Sequence, residues 1–278
     1  MKSRLGKFFK LVWSADIHGL ASEISFTFLL TLFPLLVVFV SLIGLSQNPK
    51  TINLITDQLG KILPAPIFQP IDKSIENLTS VKDYKILGLS IIFSFFSSLT
   101  IFGAIIKSLR TISNDKTKTT FLFSQWMSLR LMIVSAILIL IYFYSSYGLY
   151  IFEKFLFKSG KISLFRRNPE IFLSFIAFGV IVSLFSFYYS YASNKKIPLR
   201  ECLPGAAFAA ILWLLLTFGF QYYLRLKNVG VNYSFAYYLL SKMVVLMLYA
   251  YINATFFLWG YVWNQTRLVK SQEIPITD

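Results

Sequence analysis

The chain has 278 residues, 56% of them hydrophobic and only 14% charged, and its mean hydropathy of +0.64 excludes the balance of an ordinary soluble domain. A formal charge of +15 comes from 27 lysines and arginines spread between apolar blocks, a distribution that suits anionic lipid headgroups and not nucleic acid. One cysteine, Cys202, and one histidine, His18, exclude an intrachain disulfide and a Cys/His metal set, so no metal or cofactor is expected.

The apolar residues form long blocks joined by basic connections, which predicts an all-α fold: a polytopic membrane bundle of six transmembrane helices with amphipathic interfacial helices. One integral membrane domain is expected over 1–278. Its spans are expected near 24–45, 86–109, 128–152, 170–192, 203–224 and 240–263, with amphipathic segments at 2–13 and 51–82. The first block starts too late and runs too long for the apolar core of a cleavable signal peptide.

Residues 2–13 place Lys2, Arg4, Lys7 and Lys10 among Leu5, Phe8, Phe9, Val12 and Trp13 at helical spacing. Such a basic amphipathic helix suits an anionic membrane surface. His18 follows Asp16 by two residues; it is either an ordinary interfacial histidine or a proton-sensitive group. Pro34 sits near the middle of the first span, where it leaves the Leu30 carbonyl without its helical donor. That marks Pro34 as a candidate hinge or a static kink, with Thr27 and Thr31 placed to serve the freed backbone.

In the long connection that follows, Ile52, Ile55, Leu59 and Ile62 share one helical face and Ile71, Ile75, Leu78 and Val81 another. Asp57, Asp72, Glu76 and Asp83 alternate there with Lys61, Lys73, Lys82 and Lys85, the pattern of a solvated, ion-paired face. Ser90, Ser94 and Ser97 fall on one side of the second span, suited to packing or bonding against a neighbour. Arg130 lies one turn inside the third span, within reach of the interface by snorkelling or available for a buried polar contact.

From Leu203 to Leu224 no side chain is charged, and a helix of that length rises roughly 33 Å, enough to cross the hydrocarbon. Gly205 with Ala209, and Ala206 with Ala210, are small-xxx-small pairs that let another helix approach. The phrase Leu203-Pro204-Gly205-Ala206, then Ile211-Leu212-Trp213 and Phe220-Gln221-Tyr222-Tyr223, resembles the LPGA…W…F..Y box of the YihY/virulence factor BrkB family, formerly labelled ribonuclease BN. Ala21 to Leu45, with Thr31-Leu32-Phe33-Pro34, is similar to that family's first membrane helix. The resemblance implies an inner-membrane protein of the cell envelope, with Pro204, Gly205 and Trp213 as motif residues, and implies no mechanism. Two departures stand out: Tyr237-Tyr238-Leu239-Leu240 replaces the family's YGSL, and Gly260-Tyr261-Val262 replaces its glycine-alanine-glutamate.

The last span carries a polar stripe. At about 100° per residue, Tyr249, Asn253 and Asn264 lie within about 40° of Lys242. A face so polar belongs against the bundle interior or a wet cavity, either as a translocation path or as a contact with a neighbouring helix.

Arg4, Lys7 and Lys10 precede the first span closely while only Lys50 and Lys61 follow it within range, and the first helix usually weighs most, which predicts cytoplasmic N- and C-termini. The kinked first span and the stripe favour a transporter or lipid-handling protein for an amphiphilic substrate, whose partners are membrane lipids with anionic headgroups. The alternative is a structural or assembly factor. A nuclease needs clustered metal-binding carboxylates or an acid/base pair, and the sparse acids lie in lysine-laced loops, so no enzyme is expected. Oligomeric state is left open.

Overall fold

The computed structural model describes residues 2–46, 84–115, 120–158, 169–192, 197–226 and 235–268. All regular structure among them is helical: α1 (Lys2–Ser14), α2 (Ile17–Ser46), α3 (Tyr84–Ile112), α4 (Phe121–Lys158), α5 (Pro169–Ala192), α6 (Leu199–Leu226) and α7 (Phe235–Leu268). The amphipathic helices expected over 51–82 lie outside the described residues.

Local chemistry sets the boundaries. Between α1 and α2, Asp16 takes φ 48°, a left-handed conformation that a short side chain with local hydrogen-bonding capacity tolerates. α3 ends in the same way at Asn114, φ 50°, where the Asp115 N–H reaches the Arg110 carbonyl at 3.0 Å to close a Schellman cap. Pro169 opens α5, where a missing N–H costs no helical bond.

Four helical stretches are long and apolar enough to cross a membrane: Ile91–Ile112, Phe121–Ile141, Leu199–Phe220 and Met243–Arg267. Ile17–Leu32 and Phe175–Tyr191 are shorter apolar stretches. All six expected blocks are therefore helical, while four meet the criterion of a full span within the described side chains. The helices also outrun the expected ends. No proline interrupts the 38 residues of α4, which rise roughly 57 Å, well beyond the hydrocarbon thickness.

The chain packs as two compact units rather than as one cluster. The first comprises residues 1–17, 106–213 and 256–278, and the second 18–105 and 214–255, so α3, α6 and α7 contribute to both. In the first unit Leu109, Leu131, Tyr189, Ala206, Ala209, Ala210, Leu258 and Tyr261 are wholly buried. In the second, Ser25, Thr31 and Ser94 are buried beside Leu20, Ala21 and Ile24, while Leu89, Ile92, Phe93 and Phe96 face outward. Outward Leu, Ile and Phe with inward hydroxyls is the pattern of helices solvated by lipid.

Candidate functional site

In the first unit α6 and α7 meet backbone to backbone. A Cβ on Gly205 would overlap the Gly260 carbonyl and the Asn264 carboxamide, and one on Gly260 would overlap the Gly205 carbonyl, the Tyr189 hydroxyl and Ala209. Glycine is required at both positions because any side chain would push the helices apart.

Asn264, only 1% exposed, uses this approach: its Oδ1 accepts the Gly205 N–H at 2.8 Å, and its Nδ2 donates to the Cys202 carbonyl at 2.8 Å. Pro204 lies between those two backbone groups and, having no N–H, offers no helical donor to the carbonyl of Arg200 in the preceding turn. The carboxamide thus braces the backbone of α6 on both sides of the proline.

A third helix closes the junction. The Tyr189 hydroxyl of α5 donates to the Phe257 carbonyl at 2.6 Å, and its ring lies 5.1 Å from that of Phe257 and 5.4 Å from that of Tyr261. Trp213 packs nearby against Phe185, with ring centroids 6.4 Å apart. Val262 is wholly buried, so hydrocarbon fills the position where the resembled pattern carries glutamate.

The second unit holds the other described part of the stripe. Tyr249 is half-buried; its hydroxyl is hydrogen-bonded to Thr217 of α6 at 2.8 Å and its ring lies 4.8 Å from that of Phe220. Asn253, also half-buried, donates from Nδ2 to the Tyr249 carbonyl at 2.9 Å within its own helix. Its Oδ1 is out of contact with solvent and has no donor among the described residues. A buried acceptor without a donor costs about 1–3 kcal/mol, which a ligand or water bearing an N–H or O–H relieves.

α2 adds His18, whose Nδ1 lies 2.7 Å from the Tyr251 hydroxyl of α7, the two rings stacked at 28°. The stripe therefore has more than one environment: Asn264 is bonded through both its oxygen and its nitrogen inside a packed junction, Tyr249 is bonded to α6, and Asn253 keeps an acceptor with no donor among the described residues. Lys242 is helical, but its side chain lies outside the described residues.

Pro34 is half-buried within α2. The threonines before it do not serve the Leu30 carbonyl: Thr27 Oγ1 donates to the Glu23 carbonyl at 2.7 Å, and Thr31 Oγ1 lies 2.9 Å from the carbonyls of both Thr27 and Ser97. A threonine hydroxyl reaches back one turn, so these two fall upstream of the freed group. Thr31 instead ties α2 to α3.

Tyr189, Thr217 and Tyr251 are site residues that sequence reasoning passed over. Tyr251 and Thr217 sit among apolar neighbours, where a single hydroxyl adds little to the period. Tyr189 is one of three tyrosines in the Phe187-Tyr188-Tyr189-Ser190-Tyr191 cluster, and that cluster was the available signal.

The family model described as virulence factor BrkB matches residues 8–275. A protein of Bacillus subtilis (strain 168), whose name describes it as ribonuclease-like (YfkH), is 26% identical over 263 residues, covering 92% of this chain and 91% of its own. No solved structure matches the chain.

Proposed function

Because this chain belongs to the virulence factor BrkB family, we propose that it is an inner-membrane envelope protein that transports or otherwise handles an amphiphilic molecule. In this reading all six apolar helical blocks cross the bilayer and both termini are cytoplasmic. The observation that carries it is the open carboxamide oxygen of Asn253, set in an apolar membrane helix. Thr217, Phe220 and Tyr249 supply hydroxyl and aromatic surface in the same unit, chemistry suited to a ligand with a donor-bearing head and an apolar body.

The test is lipid profiling and envelope-permeability measurement in a strain lacking the protein, complemented by wild type or by Asn253→Ala. The reading expects wild type to restore both profiles and the variant to fail while accumulating normally in the membrane. Full restoration by Asn253→Ala would remove its support.

A structural or assembly role is the second reading, favoured by the Gly205–Gly260 junction, which is packed too closely to admit a path. The name of the Bacillus relative describes ribonuclease-like character for that protein; among the described residues of this chain no three His, Cys, Asp or Glu side chains are grouped to hold a metal.

A further inference from the structure

We propose that α1 is a two-sided strap, one edge gripping α7 and the other seated on the surface of a bilayer containing anionic lipid. The gripping edge is Phe8 and Val12, which are 8% and 9% exposed. The Phe8 ring meets Trp259 and Trp263 of α7 edge-on, at 6.4 Å and 6.1 Å. The other edge faces outward: Phe9, whose ring meets that of Phe8 edge-on at 5.6 Å, is 64% exposed and Trp13 86%, with Lys7 and Lys10 exposed beside them.

The order of side chains around the helix decides what covers that edge. Taking Phe8 as zero, Val12 lies at about 40°, Phe9 at about 100°, Trp13 at about 140°, Lys10 at about 200° and Lys7 at about 260°. The aromatic sector adjoins the buried one, and the ammonium groups come next. That order lets aromatic rings enter the headgroup layer while the lysines meet phosphates.

Charge argues for lipid and against a second copy of the chain. α1 contains Lys2, Arg4, Lys7 and Lys10 and no acidic residue, so two such helices repel, whereas an anionic leaflet attracts each lysine. Only the membrane location is assumed, so the inference stands or falls independently of any substrate.

The experiment uses the full chain in a Cys202→Ser background with a nitroxide at Trp13→Cys, at Phe9→Cys, or at Ser14→Cys on the polar side. Each protein is placed in nanodiscs of phosphatidylcholine, with and without phosphatidylglycerol, and collisions with oxygen and with a water-soluble nickel chelate are measured. In phosphatidylglycerol discs, labels at 9 and 13 should favour oxygen and the label at 14 the chelate. Lys7→Gln with Lys10→Gln should lower the equilibrium constant for seating by about thirtyfold. Equal chelate access at 13 and 14, seating that ignores lipid charge, or spin–spin broadening from a second copy would each overturn the proposal. The substituted positions are exposed, and using both 9 and 13 leaves one native aromatic in place in every protein.

Discussion

Asn264 accepts the Gly205 N–H at 2.8 Å across the α6–α7 contact, and the same carboxamide donates to the Cys202 carbonyl on the far side of Pro204. One side chain of α7 therefore supports a proline-interrupted stretch of α6. The LPGA phrase and the last helix form a single structural device.

Replacing Asn264 with leucine should destabilise the protein by about 1–3 kcal/mol, since it removes both interhelical bonds, from the Gly205 N–H and to the Cys202 carbonyl, and adds branched bulk against the glycine. Thermal unfolding in detergent measures it. An unchanged midpoint would show that the carboxamide bridge contributes nothing.

Glycines separate into two classes. Gly205→Ala and Gly260→Ala each place a methyl group into the facing backbone, so both should lower the yield of folded protein sharply. Gly88 and Gly219 have open space where a Cβ would go, so alanine there should be neutral or stabilising by up to about 1 kcal/mol, as helix propensity dictates. Similar behaviour of the two pairs would contradict the close contact.

Tyr189→Phe removes the hydrogen bond to the Phe257 carbonyl but keeps the ring against Phe257 and Tyr261. A modest loss of about 0.5–1.5 kcal/mol is expected, against several for Tyr189→Ala, which also opens a cavity. Comparing the two unfolding midpoints separates hydroxyl from ring; equal losses would assign the whole effect to the hydroxyl.

Val262→Glu would insert a carboxylate into a wholly buried position of the first unit. Without a compensating cation the folded protein should fail to accumulate, and Val262→Ile should be tolerated. Recovery of a monodisperse glutamate variant would reveal a partner or water at that position.

The helices and the small face at Gly205 and Ala209 were legible in the sequence, because apolar runs and small-residue spacing are intrahelical patterns. What such patterns do not contain is the partner of each face. Angle alone grouped Asn264 with Tyr249 and Asn253, yet the first bonds α6 backbone through both ends of its carboxamide and the last has an oxygen with no donor among the described residues. The five apolar residues of α1 read as one membrane face for the same reason. Trp259 and Trp263 divide that face, taking Phe8 inward and leaving Phe9 and Trp13 outside. Thr31 was legible as a backbone partner, but its interhelical bond goes to Ser97, a choice that only the α2–α3 packing makes.

The most direct test of the amphiphile-handling account is thiol accessibility at position 253. Asn253→Cys in a Cys202→Ser background, reconstituted in liposomes, is treated with a small water-soluble thiol reagent, with Asn264→Cys as the packed comparison. The account predicts that the cysteine at 253 reacts and that the one at 264 stays protected. Protection at both positions would make the stripe a packing face throughout and leave the structural reading in its place.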